Sequence, residues 1–400
     1  MADGDYERRG GREAELKRFQ RLLRARRAAR RGVPCYLATM SCACALGSSP
    51  EEILRRLRAR SAAGLKAYAD DIPGRTVLFG EVAADLPAIA DEEYDTRTNR
   101  LLLHVLNARR DAFEALVARY GRDRVAIVLG TSNTGIDEAQ RHVDQWIDSG
   151  RKPDAMRFSE IELGTPAEFL AKELGVTGPV YAISTACSSS AKVFPAARRL
   201  IEAGVVDAAI VGGADGRCRF ALNGFHALGA LAQDRCRPLA ADRDGINLGE
   251  GAALFTCEKG ARAPVGGICF TGAGETSDAY HATAPDPDGR GAEAAMRAAL
   301  VDAGLAANEV GYVNLHGTGT PANDAMEMKA FARLFAATTP HESTKDLTGH
   351  CLGAAGAVEA ALCWLKLHAG DVRGAALSNS FAFGGSNASV VFERVEDRSA

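Results

Sequence analysis

The 400-residue chain contains no apolar run approaching the roughly 18 to 20 residues needed to cross a bilayer. Its first residues carry charge but no apolar core of a secretory leader. The net charge is only -3, which excludes whole-chain attraction to nucleic acid. Ten cysteines are present without the paired C-x-x-C spacing of a zinc site, and Cys42 and Cys44 stand a single residue apart. Gly212-Gly213 and Gly272 to Gly274 lack the full dinucleotide fingerprint, so no nucleotide cofactor is expected. The reading is a reduced, cytoplasmic chain with no metal and no membrane insertion. Hydrophobic residues at 46% and charged residues at 25% describe an ordinary globular protein with enough length for a large core.

Against these absences, three short segments carry chemistry. In Tyr181-Ala-Ile-Ser-Thr-Ala-Cys-Ser-Ser-Ser190 a β-prone run ends at Thr185, and a helix-like run follows from Ala191 to Ala203. Cys187 therefore sits on a strand-to-helix turn, where unpaired N–H groups and the helix dipole favour its thiolate. A thiolate attacks carbonyl carbon. In Tyr312-Val-Asn-Leu-His-Gly-Thr-Gly-Thr-Pro321 a strand delivers His316 onto a Gly/Thr turn. Ser343-Thr-Lys-Asp-Leu-Thr-Gly-His-Cys-Leu-Gly353 places His350 in a loop before a helix. Taken singly, the cysteine reads equally as a small core residue and either histidine as a loop residue. Together, one thiol and two imidazoles at glycine-flanked turns suit thioester chemistry.

Residues 1–33 stand apart as a strongly basic extension, disordered or in part helical, with Leu16, Phe19, Leu22 and Leu23 at helical spacing. From Tyr36 onward strands and helices alternate, which predicts mostly parallel sheets covered by helices. The expected strands are Arg124–Gly130, Val180–Thr185, Ala208–Gly213, Ala252–Glu258, Ile268–Gly274, Val310–Leu315, Ala375–Ser378 and Ala388–Phe392. The expected helices include Pro50–Ser61, Asn99–Tyr120, Ile136–Asp148, Ala322–Phe335 and Ala354–His368.

The motif set resembles the β-ketoacyl-acyl-carrier-protein synthases, in the elongating Cys-His-His type of condensing enzyme. The matching blocks are Ser184-Thr-Ala-Cys187, Arg243-Asp-Gly245, Gly249-Glu-Gly251, Ser277-Asp-Ala-Tyr-His281, His316-Gly-Thr-Gly-Thr-Pro321, Lys345 through His350 with Gly353-Ala-Ala-Gly356, and Asn379-Ser-Phe-Ala-Phe-Gly-Gly385. They span about Tyr36 to Glu393 in the family order. The resemblance implies an α/β thiolase-like fold of two related halves in a five-layered αβαβα sandwich. The halves would run over 34–263, carrying the nucleophile, and 264–395, carrying both histidines. It implies an acyltransferase that joins malonyl and acyl thioesters in fatty acid, polyketide or aryl-polyene biosynthesis. Cys187 would hold the acyl group, and His316 and His350 would stabilise the enolate. Lys345 and Glu327 would form a buried pair behind the histidines. Phe383 would supply an oxyanion N–H and gate the pocket, within Phe381, Gly384 and Gly385. Thr318 and Thr320 would bind the pantetheine arm. Acyl carrier protein is the implied partner, in a homodimer or a ketosynthase-type heterodimer.

Two segments depart from the family. Only Ala369 to Ser378 connects the last helix to the Asn379 block, and the strand before Ser343 is short. Two other functions fit the residues less well. A non-catalytic chain-length-factor-like partner usually lacks the nucleophilic cysteine that this chain has. A thiolase needs a second cysteine near the C-terminus, and the Asn379–Gly385 block has none. On the helix Pro50–Ser61, Arg55, Arg56, Arg58 and Arg60 form a basic cluster that suits docking of an acidic carrier protein.

Overall fold

The computed structural model describes residues 34–259 and 263–396, so the basic extension at 1–33 lies outside the described residues. Among these, eleven strands bond into one sheet. One part consists of Met40–Ala43, Val125–Gly130, Val180–Ile183, Ala208–Asp215 and Gly251–Lys259. The other consists of Ile268–Ser277, Val310–Asn314, His341–Glu342, Ala375–Phe381 and Ser386–Arg394. The two-residue strand Cys35–Tyr36 pairs antiparallel with Gly251–Lys259 on one side and Ile268–Ser277 on the other, joining the two parts.

Helices divide this sheet into layers. In Val125–Gly130, Val125, Ile127 and Leu129 face an outer core with Leu101, Leu106, Phe113 and Phe169, from helices Arg97–Asn107, Arg110–Tyr120 and Thr165–Leu174. The alternate residues Ala126 and Val128 face the central core, as the period of two requires. That centre holds helices Val193–Glu202 and Ala355–Ala369. Phe194 packs its ring 5.3 Å from Phe255, 5.8 Å from Phe270 and 5.4 Å from Phe392, thereby bridging both parts of the sheet. The alanine-rich sequence of Ala355–Ala369 is what lets it sit buried nearly all round. A β-carbon on Gly356 would lie 2.5 Å from the Ala191 nitrogen, so only glycine permits the approach to the turn after Cys187. On the far side, Arg290–Ala303 and Pro321–Leu334 place Met296, Leu300 and Phe331 against Val313, Leu377 and Val391. The result is the five-layered thiolase-like sandwich.

The eight expected strands and the main helices form, with ends shifted by a few residues. Two expectations need correction. The sheet is not mostly parallel: Val125–Gly130 and Val310–Asn314 have parallel neighbours, but the inner pairings are antiparallel. The physical reason is connection length. Ala382 to Gly385 is a short turn between Ala375–Phe381 and Ser386–Arg394, and parallel strands need a long crossover. The expected helix Asn99–Tyr120 is two helices broken at Ala108 and Arg109. The short strand before Ser343 is present as His341–Glu342 at the sheet edge, and Gly370 at φ +78° ends the last helix so that the chain re-enters the sheet at Ala375.

Candidate active site

Strand Val180–Ile183 ends just before Cys187, and Ala186 takes the left-handed region at φ +51°. A non-glycine residue there holds the turn under strain, a feature concentrated at functional positions. The Thr185 N–H donates to Ser189 Oγ at 2.9 Å, and the Ser188 N–H donates to the Thr185 carbonyl at 3.4 Å. Regular helix begins only at Val193, after a short 3-10 turn at Ser189–Ala191. Sγ is approached by two backbone N–H groups, those of Cys187 itself and of Phe383. Burial nevertheless pushes the thiol up to about 11, with Lys345 and the two N–H groups pulling the other way. The expected low pKa at a helix N-terminus is thus corrected: desolvation outweighs the local dipole.

His316 follows strand Val310–Asn314. Its N–H donates to Glu327 at 2.8 Å, and its carbonyl accepts from Lys345 Nζ at 2.6 Å. Lys345 Nζ also lies 3.4 Å from His316 Nδ1. An ammonium only donates, so Nδ1 accepts and the proton belongs on Nε2. His350 is held through its backbone, donating to Asn247 at 2.7 Å and accepting from the Gly249 N–H at 3.0 Å. Both its ring nitrogens are buried and lack a hydrogen-bond partner among the described residues. The two rings stand 5.3 Å apart at 82°. Cys187 Sγ and one nitrogen of each histidine all lie within 4.8 Å of one another. Burial first, then the Lys345 charge, holds both imidazoles well below the usual range, so they are neutral.

The Lys345–Glu327 pair does not form. Lys345 instead makes a short ion pair with Glu359, from the central helix, and both side chains are almost fully buried. Sequence reasoning missed Glu359, although a lone acid in the apolar run Ala355–Leu362 is a signal of a buried partner. Glu327 serves the backbone of the same turn. It accepts from the His316 and Gly317 N–H groups at 2.8 and 2.7 Å and from Asn379 Nδ2 at 3.0 Å. Asp324, one helical turn earlier, accepts from the Gly319 N–H at 3.2 Å. Asp215 is a second omission. This fully buried carboxylate accepts from the Ser132, Asn133 and Gly353 N–H groups, tying the turn after His350 to the sheet that carries Cys187.

Burial raises the Glu327 carboxyl from 4.5 to about 7. The folded chain therefore binds more protons at this site than the unfolded chain between those values. The contribution to stability is present below about 4.5 and lost as pH rises through about 7, by roughly 3 kcal/mol. Glu327→Gln should remove this slope. Denaturant unfolding at pH 5 and pH 8 checks it: the stability difference between wild type and variant should change by about three-quarters of that amount, and a pH-independent difference would contradict it.

Thr318 and Thr320 sit with their hydroxyl oxygens 2.9 Å apart, and Thr320 also caps helix Pro321–Leu334. Phe381 is buried, while Phe383 is 37% exposed and rests on Phe225 with ring centroids 5.4 Å apart. Gly384 and Gly385 at φ +80° and +74° form the turn between them and the returning strand. A cavity of about 330 Å³ reaches Cys187 and is lined by both histidines, both threonines and Phe383. A wider cleft of about 750 Å³, lined by Arg60, Arg235 and Arg237, does not reach Cys187. Three arginines of the basic cluster, Arg60 lying just past helix Pro50–Arg58, have carboxylate partners. Arg56 pairs with Glu52 at 2.9 Å, Arg58 with Asp371 at 2.7 Å, and Arg60 with Glu342 and Asp346 at 2.6 and 2.8 Å.

The profile described as Beta-ketoacyl synthase, N-terminal domain, matches residues 38–263, and the corresponding C-terminal domain matches 268–375. The chain is 32% identical over 394 residues to Nodulation protein E of Rhizobium meliloti, covering 88% of this chain and 97% of that protein. It is 31% identical over 349 residues to 3-oxoacyl-[acyl-carrier-protein] synthase 2 of Staphylococcus aureus, covering 76% and 84%. A solved structure, the ketosynthase (ApeO) in complex with its chain length factor (ApeC) from Xenorhabdus doucetiae, superposes with a TM-score of 0.86 at 40% identity. That match covers 91% of this chain and 98% of the other. The chain belongs to the β-ketoacyl synthase family.

Proposed function

We propose that the protein joins an acyl group held on Cys187 to a malonyl thioester, with loss of carbon dioxide, as a cytoplasmic 3-oxoacyl-acyl-carrier-protein synthase. The observation that carries this reading is the meeting of Cys187, His316 and His350 within 4.8 Å in one cavity. In the first step Sγ attacks the carrier-bound thioester carbon. The carbonyl oxygen takes up negative charge facing the Cys187 and Phe383 N–H groups. The thiol proton leaves with the departing pantetheine thiol. In the second step the malonyl group loses carbon dioxide, and its electron pair becomes an enolate. Neutral imidazole N–H donors on His316 and His350 stabilise the enolate oxygen. The enolate carbon then attacks the acyl carbon, Sγ leaves and is reprotonated, and a β-ketoacyl thioester departs. Thr318 and Thr320 flank the pantetheine arm, Phe383 gates the cavity, and Lys345 with Glu359 orients His316.

The chain divides at about residue 263 into the two related halves. Its partners are an acidic acyl carrier protein and a second subunit, either another copy or a chain-length-factor-like protein. The relative from Xenorhabdus doucetiae, which was solved with such a factor, supports the latter. The ion pairs of Arg56, Arg58 and Arg60 weaken the field that this cluster offers for carrier docking. The test is mass spectrometry of the protein incubated with acyl and malonyl carrier proteins. An acyl adduct on the Cys187 peptide and a β-ketoacyl carrier product are expected, and the adduct mass identifies the chain. Absence of both, with and without a second subunit, would overturn the reading.

A further inference from the structure

The Phe381–Gly385 turn carries one oxyanion donor, the Phe383 N–H, and the nucleophile turn carries the other, the Cys187 N–H. The two turns lie far apart in sequence, so something must fix their spacing. Ser386, the first residue of the returning strand, provides a junction. Lys192 Nζ donates to Ser386 Oγ at 2.7 Å, and Ser188 Oγ, whose proton goes to the Thr185 carbonyl at 2.9 Å, lies 3.1 Å from the same oxygen. Ser188 adjoins Cys187 and is completely buried, and Lys192 stands five residues after the nucleophile. The Lys192 N–H also donates to the Ser188 and Ser189 carbonyls at 3.3 and 3.2 Å, so its backbone belongs to the nucleophile turn. Its side chain is only 14% exposed. The nearest carboxylate oxygen, Glu275 Oε2, is at the 4.0 Å limit of an ion pair, and Glu275 is engaged more closely by Arg199 at 3.1 Å. The closer polar contact of the ammonium is therefore the loop serine. On its other side the turn is tied only through backbone, the Gly384 N–H donating to the Ala282 carbonyl at 2.7 Å and the Asp278 N–H to the Gly385 carbonyl at 2.9 Å. Gly384 and Gly385 hold left-handed φ, and nothing lies within 4 Å of where a Gly384 side chain would stand.

We propose that Lys192 is a positioning residue that latches the Phe383 loop to the nucleophile turn through Ser386, keeping the two oxyanion donors in register. The latch couples two events. Closed, it aligns the Phe383 N–H with Sγ and keeps Phe383 over the cavity. Released, it frees the Ser386 end of the loop, so that the glycines let Phe383 shift about the remaining hydrogen bonds to Asp278 and Ala282 and expose Cys187. Loss of Lys192 therefore has effects of opposite sign: Cys187 becomes easier to reach, and acyl transfer from bound thioester becomes slower. A merely structural lysine would not produce that combination.

The test compares wild type with Lys192→Met, Ser386→Ala, the double variant and Lys192→Arg. Alkylation of Cys187 by N-ethylmaleimide is followed by peptide mapping, and acyl loading from a pantetheine thioester by single turnover. Each single variant should alkylate about tenfold faster and load about tenfold more slowly, with KM little changed. The double variant should match the single ones, because both remove the same link, and Lys192→Arg should restore most of the loading rate. Ser386→Ala removes one oxygen from a turn residue, so it carries the test if Lys192→Met fails to fold. Wild-type alkylation in the folded single variants, or additive effects in the double, would overturn the latch. The catalytic half rests on the proposed acyl transfer to Cys187. The alkylation half does not, so absence of loading in the wild type would sink that function and leave the latch to be judged by alkylation.

Discussion

Replacing Cys187 with alanine is expected to abolish acyl transfer, leaving no adduct detectable by mass spectrometry. No other group at the site can take its place. The other cysteines are buried, and the two pushed to about 11 like Cys187, Cys218 and Cys236, do not line the cavity. The neighbouring imidazoles are placed as donors, not as nucleophiles. Decarboxylation of malonyl carrier should persist in the variant, because the proposed mechanism stabilises the enolate through His316 and His350 and not through Sγ. A retained acyl adduct in Cys187→Ala would refute the assignment. The raised thiol pKa gives a second readout on wild type. With a value of about 11, the thiolate fraction at pH 7 is on the order of 10⁻⁴. Carboxamidomethylation of Cys187 should then rise about tenfold for each pH unit from 7 to 9. A rate flat across that range would mean that bound substrate is not needed to lower the pKa. The expected behaviour implies the reverse: the thiol loses its proton as it attacks, when the oxyanion donors begin to be used.

The parts of this site that were legible in sequence are those set by local chain geometry. A β-prone run ending in a small-residue turn marks Cys187, and similar strand-to-turn transitions mark His316. Their flanking strands and helices formed within a few residues of expectation. What was not legible depends on distant surfaces meeting. Lys345 could be matched to Glu327 only by resemblance, whereas its partner is chosen by how Ala355–Ala369 threads between the two parts of the sheet. The thiol pKa was misjudged for the same reason. The dipole of a turn is a local property, but desolvation of Cys187 is produced by the whole sandwich. Asp215 ends a buried strand and has the look of an ordinary strand-terminal acid. Its function emerges only when Ser132, Asn133 and Gly353 converge on it. The three-stranded sheet of Leu65–Ile72, Arg75–Gly80 and Leu248–Gly249 also escaped notice. Its first strand, Leu-Lys-Ala-Tyr-Ala-Asp-Asp-Ile, has too many polar residues to stand out by periodicity. That small sheet matters to the site, because Asn247 and Gly249 hold the backbone of His350.

His316→Ala and His350→Ala are each expected to slow condensation by about 10²–10³, the usual cost of one donor lost from a developing oxyanion, or about 2.7–4 kcal/mol. Acyl loading should be little affected, because the charge formed in loading faces backbone N–H groups instead. The two losses should differ in origin. His350 has no hydrogen-bond partner on either ring nitrogen among the described residues, so removing it breaks nothing in the resting protein. Its whole effect should appear in the rate and none in stability beyond the lost packing. His316 accepts from Lys345 at Nδ1, and alanine would leave that ammonium with its Glu359 partner and the residue 316 carbonyl alone. His316→Ala should therefore also lower the melting temperature. Asparagine at 316 can retain an acceptor near Lys345 and should restore stability more than rate. Neutral donors also predict that condensation shows no histidine titration between pH 6 and 8, since both pKa values lie well below the ordinary 6.5, and that any step near 7 belongs to Glu327 and vanishes in Glu327→Gln. Rapid-quench measurement of loading and condensation on one sample separates the two steps. Wild-type condensation in both alanine variants would rule out the paired-donor mechanism, and a step near pH 6.5 that disappears in His350→Ala would show that a charged imidazole carries it instead.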